Sequence, residues 1–239
     1  MPGLYRDEGV VLRTIKLGEA DRIVTIFTQG HGKVRAVAKG IRKTMSKFGA
    51  RLEPTSRVAL QCYKGRDLDV VTQVETLESN RVLREEYVLL THAVSMLEAV
   101  DQVAQDHEPN PALYRMLTGA LRTLAERRNP LVAPAFFWKL LSLEGFHPIV
   151  DGCARCEEPD VELVAFDLEE GGSICAACAR GGGRPLSPSA LDLLQRILGG
   201  GLNGALARSP GPEAHEVEAL GIRALEHHVE RRMRSTALL

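Results

Sequence analysis

Residues 21–40 read DRIVTIFTQGHGKVRAVAKG, which contains two strand-like runs joined by a glycine-bearing turn. In the second run, basic residues stand at positions 33, 35 and 39, while Val34, Ala36 and Ala38 take the opposite parity. Successive side chains of a strand point to opposite faces, so this run predicts a strand with one buried face and one positively charged face. The Gly30-His31-Gly32 link is typical of a hairpin. The stretch therefore predicts a β-hairpin that presents cations to solvent.

Three more strand-like runs lie near this hairpin, at residues 10–12, 57–63 and 68–74. Five short strands within about 70 residues predict a small barrel or partly open sheet, and the OB-fold is a nucleic-acid-binding barrel of that kind. Cys62 falls on a strand and is expected to be a small buried hydrophobe.

From Ser79 onward the apolar period becomes helical. An apolar stripe from Val82 to Val103 predicts one helix of about seven turns, and Asn110-Pro111 starts a second. A third helix is predicted at residues 135–144, with Phe136, Phe137 and Trp138 at core spacing. Ser187-Pro188 supplies an N-cap and a first helical position. A last helix is predicted from Pro212 to Met233.

The predicted fold class is α+β multidomain, with an N-terminal OB-fold β-barrel and a C-terminal α-helical domain into which a Cys₄ zinc ribbon is inserted. The expected domains are an OB-fold for nucleic-acid binding at 1–78, a helical bundle at 79–150, the ribbon at 151–183, and C-terminal helices completing the helical domain at 184–239.

Charge is distributed very unevenly along the chain. Residues 31–66 carry a net charge of +9 and the remainder −10, which together give the formal −1. The only acid in the basic stretch is Glu53. Such separation favours a polyanionic partner, because Lys and Arg that neutralise phosphates release condensed counterions. The ten cations are Lys33, Arg35, Lys39, Arg42, Lys43, Lys47, Arg51, Arg57, Lys64 and Arg66.

Composition is that of an ordinary globular protein, with 44% hydrophobic and 26% charged residues. No apolar run approaches the roughly 20 residues that a membrane helix needs, and the N-terminus lacks a signal-peptide core. We therefore expect a cytoplasmic protein without a membrane partner.

Four of the five cysteines form a pair of CxxC knuckles: Cys153, Cys156, Cys175 and Cys178. Two such knuckles complete the tetrahedral thiolate shell of structural zinc, and the expected cofactor is one structural Zn²⁺ ion. Iron–sulfur ligation is the minority reading. A closed shell leaves no position for substrate, so the ion is expected to stabilise a region too small for its own core.

No sequence signal of an enzyme accompanies these features. The chain has no Walker A, HExxH or GxSxG sequence and no GxGxxG following a strand. The His227-His228 pair is expected to lie on a solvated helix face, and Asp67 and Asp69 on a polar outer sheet face. We expect no catalytic residue and no small-molecule substrate.

Several of these stretches, taken in order along the whole chain, resemble the RecO family of DNA repair and recombination mediators. The similar stretches are Gly18 to Thr28 continuing through Gly32-Lys33 to Ala38-Lys39-Gly40, Arg51-Leu52-Glu53-Pro54, the Asn110-Pro111 region, Gly145-Phe146-His147-Pro148 leading to Cys153-Ala154-Arg155-Cys156, Gly171 to Cys178, and Arg231 to Ser235. One departure is Glu157, where a ribbon often has glycine, and some strain is expected in that turn.

The resemblance implies the same three-part fold and a non-enzymatic, nucleoid-associated role in the DNA damage response. It implies binding of single- and double-stranded DNA without sequence specificity, annealing of complementary strands, and, together with RecR, loading of recombinase onto DNA coated by single-strand-binding protein.

The predicted DNA-binding residues lie on the charged strand, on the loop after it, and at the following hairpin. They are Lys33, Arg35, Lys39, Arg42, Lys43, Lys47, Arg51, Lys64 and Arg66. Phe48 could stack on a base or plug one end of the barrel, and the sequence does not separate these. The cluster Arg231, Arg232 and Arg234 is interpreted as a helix C-terminus favoured by the macrodipole, and a second contact to DNA is the alternative.

Two alternatives to DNA binding remain open. In the first, the protein is an adapter whose basic patch binds acidic tails. In the second, it is an RNA-binding OB and zinc-ribbon protein.

Overall fold

The alternating residues 33–38 lie in a closed five-stranded β-barrel, and Lys39 follows directly after the strand. The structure is a computed structural model that describes residues 3–43, 46 and 48–235. The strands run in the order β1-β2-β3-β5-β4, with β3 and β5 parallel and the other neighbours antiparallel. Their bounds are β1 Leu4–Leu17, β2 Asp21–Thr28, β3 Gly32–Ala38, β4 Arg57–Tyr63 and β5 Asp69–Glu78.

The barrel interior confirms the parity expected from the sequence. Val34, Ala36 and Ala38 are fully buried, and so is Cys62 on β4. Gly32 opens β3 with a φ of +66°, where a Cβ would come within 2.2 Å of the backbone of Glu108. Glycine is required here because any side chain would both strain the turn and collide with the neighbouring segment.

The chain divides into two compact units between Glu126 and Arg127. The first contains the barrel and three helices, α1 Arg81–Glu85, α2 Tyr87–Val103 and α3 Pro111–Arg127, of which only the last residue falls in the second unit. The single helix expected from Val82 to Val103 is wrong, because Glu86 adopts an extended conformation, with φ −112° and ψ 120°, that interrupts the hydrogen-bond ladder. The apolar stripe is therefore carried by two helices.

The second unit contains the remaining helices and the ribbon. The helices are α4 Val132–Leu143, α5 Pro188–Leu198, α6 Leu202–Leu206 and α7 Pro212–Val229. Trp138 on α4 is buried, and its Nε1 donates to Val217 O on α7 at 3.0 Å. Ser187 caps α5 as expected, since its Oγ accepts from Ala190 N at 3.2 Å.

The ribbon is a three-stranded sheet in the order β7-β6-β8. Its strands are β6 Leu163–Asp167, β7 Gly172–Cys175 and β8 Arg184–Pro185. The fold class is the one predicted: an OB-like barrel, a C-terminal helical domain and an inserted four-cysteine cluster. The finer domain boundaries stay a prediction.

Helix α7 ends at Val229, before the expected Met233, because Glu230 takes a left-handed conformation with φ +53°. The C-terminal arginine cluster thus follows the helix instead of forming its last turn.

Candidate nucleic-acid interface and metal centre

Three of the predicted cations, two on the outward face of β3 and Lys39 directly after it, lie in different environments. Arg35 and Lys39 are exposed. Lys33 is only 16% exposed in its side chain, donates to Asp101 O at 2.7 Å and lies 3.6 Å from Asp106 Oδ1. A phosphate at Lys33 would have to compete with these contacts, so Arg35 and Lys39 are the more available of the three cations.

The loop after β3 adds exposed cations next to Lys39. Arg42 Nη1 donates to Gly18 O at 3.3 Å and Glu19 O at 2.8 Å, both neutral carbonyls that leave its charge uncompensated. Lys43 is exposed. Lys47 lies outside the described residues. The loop therefore extends the positive surface of β3 towards the turn between β1 and β2.

A one-turn 3₁₀ helix, Gly49–Leu52, ends this loop. Arg51 is exposed within it, and its Nη1 lies 3.4 Å from Phe48 O. Phe48 is 1% exposed and packs with Leu52 in the barrel core. The base-stacking interpretation of Phe48 is therefore wrong: its ring is withdrawn from solvent and fills the barrel interior.

The turn between β4 and β5 supplies the last two predicted cations, Lys64 and Arg66, both exposed. A pocket of about 250 Å³ brings these two together with Lys33 and Arg35. It also contains three acids: Asp106 faces Lys33, Asp67 faces Arg66 at 3.5 Å, and Asp69 accepts hydrogen bonds from neutral donors. Among the described residues no ion pair is found for Arg35 or Lys64, so these two cations leave the pocket with a net positive charge.

The two remaining charged groups of the basic stretch belong to internal ion pairs. Arg57 lies 2.7 Å from both Glu8 and Glu78, and Glu53 lies 3.0 Å from Arg22. Arg57 is therefore a structural cation, and Glu53 is already partnered by an arginine outside the stretch.

A buried polar network, which sequence reasoning missed, lies behind this surface. Asp69 is 4% exposed and accepts from Tyr5 Oη at 2.5 Å and from Gly65 N at 2.9 Å. Burial and the bond to Asp69 raise the pKa of Tyr5, and burial raises the pKa of Cys62 to about 12. The outer-face expectation for Asp69 is wrong, because its carboxylate anchors the β4–β5 turn instead.

The four cysteines of the ribbon converge on one point. Their Sγ atoms all lie within 4.8 Å of one another, and Cys156 and Cys175 are 3.9 Å apart. Four thiolates around zinc at about 2.3 Å would be separated by about 3.8 Å. Within the described residues they are the one group of three or more His, Cys, Asp or Glu side chains close enough to share an ion. The donor set fits Zn²⁺.

Electrostatics within the cluster also call for a cation. Burial raises the pKa of the Cys153 thiol, but backbone N–H groups, including Cys175 N at 3.3 Å, outweigh this and lower the pKa to about 6. Burial and the neighbouring sulfurs raise the pKa of Cys178 to about 12. Four adjacent sulfurs cannot all ionise alone, and a divalent ion removes that conflict.

Local hydrogen bonds stabilise the first knuckle, which also contains a strained residue. Glu157 N donates to Cys153 O at 2.8 Å, and Glu157 has a φ of +61°, which confirms the strain expected from a non-glycine residue there. Arg155, which the sequence did not single out, lies 2.5 Å from Asp167 and donates to Cys178 O at 2.9 Å. Arg155 thus joins both knuckles and the β6–β7 hairpin.

The two histidines of the pair on α7 lie in different environments. His227 is exposed, as expected, while His228 is half-buried with its ring centroid 3.6 Å from that of Phe146. Burial lowers the pKa of His228, and the charge of the neighbouring His227 lowers it further. The pair therefore packs against an aromatic ring at one residue and meets solvent at the other.

The sequence models of two protein families together match nearly all of the chain. The one described as recombination protein O N terminal matches residues 1–80, and that described as recombination protein O C terminal matches residues 84–237. The chain belongs to the RecO family. It is therefore a member of a family of non-enzymatic mediators of DNA repair and recombination. The first match covers the barrel and the second the four cysteines.

No helix in the described part of this RecO protein has the length and hydropathy needed to cross a lipid bilayer.

Proposed function

We propose that this RecO protein binds single- and double-stranded DNA without sequence specificity, anneals complementary strands, and helps RecR load recombinase onto DNA coated by single-strand-binding protein. The observation that carries the proposal is the set of exposed cations on one barrel that have no carboxylate partner in the described residues: Arg35, Lys39, Arg42, Lys43 and Lys64.

These cations suit phosphates and carry no base specificity. Lysine and arginine contacts to the backbone fix the position of a strand but do not read its sequence. Their concentration on one barrel also lets the same surface screen two negative strands during annealing. Membership of the RecO family supports DNA as the polyanion over an acidic tail or RNA.

The other four predicted DNA-binding residues differ in their surroundings. Lys33 and Arg66 already face carboxylates, and Arg51 is close to a backbone carbonyl. We assign these three to secondary contacts that strengthen when a phosphate approaches. Lys47 keeps its place in the proposed surface from its position in the sequence.

One structural Zn²⁺ held by Cys153, Cys156, Cys175 and Cys178 is part of the proposal. Four cysteine ligands close the coordination shell, so the ion would hold the two knuckles together and offer no site for chemistry. Its role here is to stabilise the ribbon.

The salt dependence of binding tests the proposed interface. If about five phosphates are neutralised, log K for a single strand should fall against log salt with a slope of about −3.5. Fluorescence anisotropy with labelled strands of unrelated sequence, measured over a range of salt, gives this slope directly. Similar slopes and affinities across sequences are expected, and a slope near zero would contradict a phosphate-binding surface.

A further inference from the structure

The outer surface of the barrel carries an apolar row that crosses four adjacent strands. Register pairs Val37 on β3 with Val70 on β5, Val70 with Tyr63 on β4, and Tyr63 with Leu4 on β1. Val37, Val70 and Tyr63 lie opposite in parity to buried neighbours, and Leu4 to Tyr5, which packs against the barrel core, so the four side chains point outward. Tyr63 is 52% exposed and Leu4 60%. We call these four residues the apolar row.

Tyr63 is held in place by the chain beneath it. A Cβ added at Gly3 would lie 2.5 Å from the Tyr63 ring, so the ring rests directly on the backbone at Gly3. Lys64 N also donates to Gly3 O, which ties the end of β4 to the start of β1. The result is an aromatic ring supported from below and half open to solvent, a geometry suited to stacking.

Cations border the apolar row on both sides. Because β4 runs antiparallel to β5, which is parallel to β3, Lys64 after Tyr63 and Arg35 before Val37 lie on the same side. On the opposite side are Lys39, after Val37, and Arg6, after Leu4. Among the described residues none of these four cations has a carboxylate partner; Arg6 Nε instead donates to the neutral Gln61 at 3.0 Å.

An apolar centre between two cationic borders matches one kind of occupant, an unpaired nucleic-acid strand. Its bases offer flat apolar faces, and its phosphates lie to the side of them. Duplex DNA matches poorly because its base faces are stacked inside the helix. The row spans three strand spacings, or about 14 Å, which at about 3.4 Å per stacked base accommodates about four bases.

The geometry points to the apolar row as the base-binding platform of the barrel, with Tyr63 as the stacking residue, so that this face takes single strands in preference to duplex. The inference rests on the proposed function, since it needs nucleic acid at this barrel. It adds a preference that the phosphate contacts alone do not supply, because single strand and duplex both carry phosphates.

Substitution of Tyr63 tests the platform with two probes, an oligo-thymidine strand and a strand of equal length made of abasic sites. Wild type should bind the thymidine strand more tightly than the abasic one. Tyr63→Ala should lose about 5- to 100-fold for the thymidine strand, with no change for the abasic strand or for duplex. Tyr63→Phe should retain wild-type affinity, because the ring remains.

Tyr87→Ala is the matched control, since Tyr87 is 67% exposed, lies in the same unit and is outside the row. Thermal unfolding of every variant verifies the fold. Unchanged binding of the thymidine strand by a folded Tyr63→Ala, or an equal loss on all three probes, would overturn the platform while leaving the phosphate surface intact. Failure of wild type to bind any probe would instead overturn the proposed function.

Discussion

Replacing Phe48 with alanine should damage the barrel and leave its DNA contacts intact. The ring is 1% exposed and belongs to the barrel core. A buried phenylalanine removes about 150–250 Å² from water, which at about 25 cal/mol per Å² corresponds to about 4–6 kcal/mol. Alanine retains part of that burial, so the expected loss of unfolding free energy is about 3–5 kcal/mol. For a unit of this size the midpoint should fall by about 10–20 °C.

Thermal unfolding followed by circular dichroism measures the stability change, and Phe48→Leu is the control because it restores most of the volume. DNA affinity is then measured well below the lowered midpoint, where the variant is folded. We expect wild-type affinity for single strands. A variant of unchanged stability whose single-strand affinity falls 5- to 100-fold would refute the reasoning, because that is the behaviour of an exposed stacking residue.

Two further predictions concern a carboxylate of the barrel and an arginine of the ribbon. Burial raises the pKa of Glu78, but the bonds to Arg122 and Arg57 outweigh this effect and lower the pKa. The stabilisation that ionised Glu78 contributes to the fold is therefore complete above its ordinary pKa of about 4.3, and it is lost as the pH falls through the lowered folded-state pKa. Urea unfolding should therefore show Glu78→Gln less stable than wild type by about 1 kcal/mol at neutral pH, with the difference shrinking as the pH falls below about 4. A difference that does not change with pH would contradict the ion pairs. Arg155→Ala should weaken zinc binding about 10-fold, because the contacts that Arg155 makes to both knuckles are lost. Competition with a chromogenic chelator measures this affinity, and Arg180→Ala is the control on the same ribbon. Unchanged zinc affinity of Arg155→Ala would contradict the bracing role.

Much of the fold follows from local pattern. The parity of residues 33–39 predicted which side of β3 is buried, and the CxxC spacing predicted the cysteine cluster, because both depend on chain geometry over a few residues. Glu86 shows the limit: the apolar stripe continues past it, so no local pattern marks the extended conformation that separates α1 from α2. The burial of Phe48 likewise could not be predicted, because it depends on where the loop folds back onto the barrel.

The charges of the candidate site were predictable from the sequence, whereas the contacts that its cations make within the protein were less so. Cation positions are read directly from the sequence, but the contacts of Lys33 with Asp101 and Asp106 join residues far apart in the chain. Tyr63 could have been found from the outward parity of β4, since Cys62 next to it was already expected to be buried. Its alignment with Val70 and Leu4 depends on strand register, which no local pattern determines.

The central claim is that the exposed cations of the barrel bind and anneal DNA. A fluorescence annealing assay on Lys39→Glu/Arg42→Glu/Lys43→Glu tests it most directly, since all three side chains are exposed and their reversal should leave the core untouched. The matched control reverses three exposed arginines outside the basic stretch, Arg115, Arg208 and Arg223, with the same change in net charge. The account predicts that annealing and DNA binding are lost in the first variant and retained in the control. Normal annealing by a folded first variant would contradict it and place the working surface elsewhere.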